Sequence, residues 1–211
     1  RVLFRSRLDA DSSGTVYGNA RGGAFFRIRD LRVTDYFNSS DFGIGAVKTL
    51  TADPDEPGAV YLGTEDGQFC HGSFDKSFTD MQAGSPRYVE TVFDTDESGN
   101  ITDVYDSGFY VTTNINRIAI ADGTIWLVTD DKILYRDSEG NFRALENIPL
   151  TDSIEGFAED YEGNLWFSSS RQGIIQHTVM QAGGVDHLLA ESGFSGNILK
   201  FVGNNLHDSL S

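Results

Sequence analysis

The stretch Ala158-Glu159-Asp160-Tyr161-Glu162-Gly163-Asn164-Leu165-Trp166-Phe167-Ser168-Ser169 decides how this chain is read. Its core is Asp-x-x-Gly-x-aliphatic-aromatic, running from Asp160 through Gly163 and Leu165 to Trp166. An Asp at the first position of a type I turn accepts backbone N–H bonds, and a Gly at the fourth tolerates the conformation that leaves it. The aliphatic and aromatic residues that follow suit a half-buried strand. One copy is a hairpin, whereas copies at a steady period define a fold.

Copies recur. Asp11, Gly14, Val16 and Tyr17 form one, and Asp55, Gly58, Val60 and Tyr61 form another, with Tyr61 44 residues beyond Tyr17. Asp122, Gly123, Ile125 and Trp126 keep the strand but lose two residues from the turn, and Trp166 follows Trp126 by 40 residues. A degenerate copy at Gly203, Leu206 and His207 occupies the next place. Each copy follows a strand pattern, at residues 2–8, 47–52, 115–121, 154–159 and 197–202. Third strands are predicted at 23–27, 67–71, 132–136 and 173–177, and weaker fourth strands at 31–37, 142–144 and 185–189. Four short strands per ~40–45 residues is the blade of a β-propeller. Sustained helical periodicity is rare, so almost no helix is expected.

The spacing breaks once. From Tyr61 to Trp126 is 65 residues, and the excess falls in residues 75–114. Strands at 88–93 and 101–105 flank the acidic link from Asp94 to Asn100. Reading Asp96, Gly99 and Ile101 as a further repeat copy leaves only 24 residues between Thr102 and Trp126, too few for a four-stranded blade. The segment therefore reads as the second blade's outer strand extended into a long hairpin. The expected fold class is an all-β β-propeller of four-stranded antiparallel blades over residues 1–211. It counts about four blades plus part of a fifth, as in a fragment of a larger propeller.

Composition agrees with a folded chain. Of 211 residues, 39% are hydrophobic and 12% aromatic, with 23 glycines and 4 prolines, so many turns punctuate aromatic-rich strands. A net charge of −16 disfavours nucleic acid as a partner, because such a role needs a basic stripe. No apolar run approaches the ~18 residues of a membrane span, so membrane association is expected only through flanking segments. The opening residue is Arg1, which leads us to expect an excised or processed piece. Cys70 stands alone, ruling out an internal disulfide.

Taken together, Ile154, Glu159, Asp160, Gly163, Leu165, Trp166, Ser168, Ser169 and Gly173 resemble the two-component-regulator propeller repeat. Residues 118–134 match with the shortened turn, residues 47–69 with Tyr61 in place of Trp, and residues 11–26 more loosely. The resemblance implies a non-catalytic, extracytoplasmic region of a bacterial membrane receptor whose output is a histidine kinase or diguanylate cyclase. It implies sensing of a small-molecule or glycan ligand, with a homodimer as a further expected partner. Streptogramin-lyase-like enzymes and NHL-type interaction scaffolds share the architecture and stay open as alternatives.

Asp94, Asp96 and Ser98 place oxygen ligands at positions one, three and five of an EF-hand-type calcium loop, with Gly99 at six. Position twelve is Tyr105 where the loop needs Glu, and the flanks read as strands. Asp9, Asp11, Ser13 and Gly14 repeat the partial pattern inside an ordinary blade turn, so an acidic hairpin turn is the simpler reading. Calcium at Asp94, Asp96 and Ser98 is the one cofactor considered. His71 and His177 both end a third strand and read as a partly exposed repeat position. Trp126 and Trp166 share one place in the repeat and are expected to pack between blades. Third-strand arginines and acids are expected to be solvated, and no catalytic set is marked.

Overall fold

The computed structural model describes residues 7–179 and, beyond them, the backbone of the strands Asp186–Leu189 and Ile198–Lys200. Strands β1 (Arg7–Ala10), β2 (Val16–Asn19), β3 (Ala24–Arg29) and β4 (Arg32–Asn38) form an antiparallel sheet in chain order. A second such sheet holds β5 (Val47–Ala52), β6 (Ala59–Thr64), β7 (Phe69–Ser73) and β8 (Gln82–Gly84). After the hairpin β9 (Arg87–Thr95) and β10 (Ile101–Tyr110) come β11 (Ile115–Ala121), β12 (Thr124–Thr129), β13 (Ile133–Arg136) and β14 (Phe142–Ala144). The fourth sheet comprises β15 (Ile154–Glu159), β16 (Asn164–Ser169), β17 (Gly173–Val179) and β18 (Asp186–Leu189). Inner strands β1, β5, β11 and β15 touch in succession, so the four sheets are consecutive blades of a β-propeller. Among the described residues the helical structure is one 3-10 turn, Ser39–Phe42.

Burial on both faces explains the strand sequences. In β12, Ile125 and Leu127 face the second blade, while Trp126 and Val128 face the fourth, so the strand reads as a continuous apolar run. Three inter-blade cores result. Tyr17 and Phe25 pack on Leu50, Leu62 and Phe74 between the first two blades. Tyr61 and Phe69 pack on Ile118, Leu127 and Leu134 between the second and third. Trp126 and Val128 meet Leu165, Phe167 and Ile175 between the third and fourth. The row by which a blade meets its predecessor is Leu50–Leu62–Cys70 in the second and Ile118–Leu127–Leu134 in the third. In the first blade the matching row is Leu8–Gly18–Phe26–Tyr36, and there Leu8 is 61% and Tyr36 58% exposed.

Arg27 corrects the expectation of solvated third-strand charges. It is 6% exposed, donates to Asp35 at 2.7 Å, pairs with Asp75 and lies 5.4 Å over the Phe74 ring. Two carboxylates and an aromatic face compensate the buried guanidinium.

The hairpin forms at residues 87–110 but belongs to a different blade from the one expected. β8 closes the second blade by itself, while β9 runs parallel to β14 and pairs Tyr88 with Phe142. The third sheet therefore has six strands, ordered β10-β9-β14-β13-β12-β11. Tyr88 is buried in the core between blades two and three, and Lys132 reaches Glu90 at 2.7 Å, which fixes the hairpin to this edge. The strand expected to open a fifth blade is β19 (Ile198–Lys200), and it pairs in parallel with β17 of the fourth sheet. The degenerate copy at Gly203–His207 lies outside the described residues.

Candidate functional site

The Asp turns are scaffold, and their bonding shows why. Asp160 donates its N–H to Asn164 O, and Gly163 N–H returns to Asp160 O, both at 3.0 Å. Its Oδ1 accepts the N–H groups of Glu162 and Asn164, and its Oδ2 accepts the Trp166 indole N–H at 2.9 Å. The indole and the Asn164 amide hold the Asp160 carboxyl down at about 2. In the first blade, Asp11 Oδ2 accepts the Tyr17 hydroxyl at 2.7 Å. Burial and that bond push the Tyr17 phenol up to about 12. The second blade corrects the sequence register: the capping residue is Asp53, not Asp55. Asp53 N–H bonds Ala59 O at 3.0 Å and Asp53 Oδ1 accepts the Asp55 N–H at 2.9 Å. In the third blade, Asp122 (φ 47°) and Gly123 (φ 72°) make a two-residue turn with both residues left-handed, the form that suits a tight hairpin.

Asp94, Asp96 and Ser98 lie along the exposed tip of the β9–β10 hairpin, Asp94 within β9 opposite Asp103 and the other two in the turn. Asp96 Oδ1 accepts the N–H groups of Ser98 and Asn100, each at 2.9 Å, and the Asn100 amide bonds both carboxylate oxygens. These bonds, the Asn100 side chain first, lower the Asp96 pKa. The turn at Asp137 has the same backbone and Oδ1 bonds. Asp96 thus behaves as the other turn-capping acids do, and an acidic hairpin turn stays the simpler reading of this tip.

His71 and His177 occupy equivalent strands in unlike surroundings. His71 Nε2 lies 2.9 Å from Asp53 Oδ2, and its ring stacks on Tyr61 at 4.6 Å. Glu56 completes a group of possible ligand atoms within 4.8 Å, although it also pairs with Lys76. His177 is 1% exposed, against the partial exposure expected, and sits 5.8 Å from the Trp126 ring. Trp126 packs across the third and fourth blades, 5.7 Å from Phe167.

What the four blades bring together is a cavity of about 430 Å³ at one end of the axis their inner strands surround, here termed the channel mouth. The first blade contributes Arg7, Asn19 and Arg21, and the second Lys48 and Glu65. Asn116 and Asp130 enter from the third blade, and Ser153 and Glu155 from the fourth. Two buried asparagines tie neighbouring blades together beside it. Asn19 Nδ2 donates to Val47 O and Lys48 O at 3.3 and 3.1 Å. Asn116 Nδ2 donates to Ile154 O and to Asp130 Oδ1, both at 2.7 Å. Asn19 is 4% exposed, yet its Oδ1 has no hydrogen-bond partner among the described residues. A buried amide oxygen left unbonded is costly, which sets Asn19 apart from the other buried polar groups of its blade. Gly23 holds the rim with φ 87°, and a Cβ there would lie 2.7 Å from Ala46 Cα.

Comparison with known proteins bears on the fold. No family model and no curated protein matches the chain. Among solved structures, the extracellular domain of BT3049 from B. thetaiotaomicron, assigned to a hybrid two component system, aligns at 19% identity and TM-score 0.51. That alignment covers 76% of this chain and 20% of the other. The extracellular domain of BT4673 from the same organism, assigned to a one component system, aligns at 13% identity and TM-score 0.55, covering 97% and 22%. The β-propeller domain of Cps50 (Swd1) from Myceliophteria thermophila aligns at 9% identity and TM-score 0.52, covering 84% and 53%. The chain spans about a fifth of the length of the two extracellular domains. These likenesses establish the propeller fold.

Sequence reasoning passed over the residues of the channel mouth. One signal was available. Where the second strands of later blades end in Thr64, Thr129 and Ser169, the first ends in Asn19. Thr64, Thr129 and Ser169 accept backbone N–H groups of their own turns, from Gln68, Lys132 and Arg171. Asn19 reaches into the next blade instead, and that departure marks the cavity.

Proposed function

We propose that this propeller is part of the extracytoplasmic ligand-sensing region of a bacterial signalling receptor and carries no chemistry of its own. The carrying observation is the cavity at the channel mouth, lined by polar and charged residues from all four blades. Support comes from the similar folds of BT3049 and BT4673, both extracellular domains of signalling systems. Among the described residues no histidine lines this cavity, and His71 is held by Asp53 and Tyr61 within its blade. Sensing requires a ligand that binds one receptor state better than another, through a domain or homodimer rearrangement. A thermal-shift screen of glycans and small metabolites tests the reading. Stabilisation by a compound, abolished by Asn19→Ala, is expected. A screen without any stabilising compound would count against direct sensing.

A further inference from the structure

The charges of the channel mouth are sorted by side, and that sorting names a ligand class. Arg7 and Arg21 come from the first blade and Lys48 from the second, while Asp130 and Glu155 stand on the third and fourth. Glu65 adds an acid from the second blade. In a chain with 32 acids and 16 bases, three cations and three acids here amount to local enrichment in positive charge. Arg21 and Lys48 form no ion pair among the described residues. Asp130 is held in place by the Asn114 and Asn116 amides, at 2.6 and 2.7 Å, one on each oxygen, so each oxygen keeps acceptor capacity. Among the described residues no aromatic side chain lines the cavity, so they offer no stacking platform for a sugar ring.

Resting on the sensing role proposed above, we infer that this cavity takes a small, hydrophilic zwitterion bearing a carboxylate and an ammonium group. The carboxylate turns toward Lys48 and Arg21, as charge-assisted hydrogen bonding favours. The ammonium turns toward Asp130 and Glu155, across the channel. Such a solute matches both signs of charge without requiring apolar contact.

Isothermal titration of the whole chain with single free amino acids and γ-aminobutyrate provides the test. Neutral oligosaccharides and the amides of the same amino acids run in parallel. Saturable binding of a free amino acid is expected, with a Kd raised about tenfold or more for its amide and for Lys48→Ala, the effect of losing a charge-assisted hydrogen bond. Arg21→Ala, on an exposed turn, gives a second reading with little risk to folding, and circular dichroism verifies both variants. Binding of neutral oligosaccharides alone, sensitive to Asn19→Ala, would overturn the zwitterion while leaving the sensing role intact. Amino-acid binding indifferent to Lys48→Ala and Arg21→Ala would overturn the assignment of this cavity. Silence from every probe would overturn the zwitterion and weigh against sensing as well.

Discussion

Replacing Trp126 by Ala should be among the most damaging single changes to this fold. Trp126 is 5% exposed, with ring centroids 5.5 Å from Tyr135, 5.7 Å from Phe167 and 5.8 Å from His177. Truncating a buried aromatic costs about 3–5 kcal/mol, the upper end where neighbours cannot collapse into the space. Here they cannot, because Phe167 is fixed by ladders to both β15 and β17. A loss of about 4 kcal/mol is therefore expected, a large fraction of the ~5–15 kcal/mol that holds a typical domain together. Urea unfolding followed by far-ultraviolet circular dichroism measures it. With two tryptophans in the chain, Trp166 remains as a lone fluorescence probe on the neighbouring blade. Trp126→Phe should recover more than half the loss, since the Trp126 indole makes no hydrogen bond among the described residues. A loss below about 1 kcal/mol for the alanine variant would refute the argument that blades three and four cohere through this ring.

Trp166→Phe removes the indole donor to Asp160, so the Asp160 carboxyl should rise from about 2 toward 3.8, as followed by carboxyl-carbon NMR. Because its folded value lies below the unfolded one, Asp160 stabilises above pH 3.8, and that contribution fades as pH falls toward 2. The variant should flatten that acid-side slope. Tyr17 behaves oppositely: its folded value of about 12 exceeds 10.0, so stability present below pH 10 should fall as pH climbs toward 12, and Tyr17→Phe should abolish this step in alkaline unfolding curves. Gly23→Ala should cost about 1–3 kcal/mol in chemical denaturation, from a side chain forced into the left-handed region against Ala46. Calorimetric titration with calcium should give no saturable heat at Asp94, Asp96 and Ser98, since Asp96 already serves its own turn. A one-to-one site lost in Asp94→Asn would overturn that expectation.

The propeller was legible because its determinants are local and repeated. The Asp-x-x-Gly turns at Asp11 and Asp160 cap themselves within five residues, and Tyr17, Tyr61 and Trp126 each enter a core shared with the following blade. The second blade was misregistered at Asp55 because its turn spans residues 53–59, where the first needs only 11–15. Pattern alone cannot separate two nearby acids when either could cap; the Asp53 N–H bond to Ala59 O decides it. The hairpin's strands were legible from alternation, but its blade was not. Attachment to β14 depends on Tyr88 finding Phe142 more than fifty residues away.

The partial calcium pattern and the channel mouth mislead and hide for the same reason. Turn-capping selects Asp, Ser, Gly and Asn at fixed short offsets, so it writes motif-like strings wherever a hairpin ends, as at Asp11, Asp96, Asp137 and Asp160. The mouth carries the opposite signature. Arg21, Lys48, Asp130 and Glu155 come from four blades and share no local spacing, since only the succession of blades about one axis places them on one cavity. In a repeat fold the positions that agree between copies are those the packing requires. Function is therefore to be sought where one copy departs, and Asn19, standing where the other blades have Thr or Ser, is the departure from which the binding hypothesis follows.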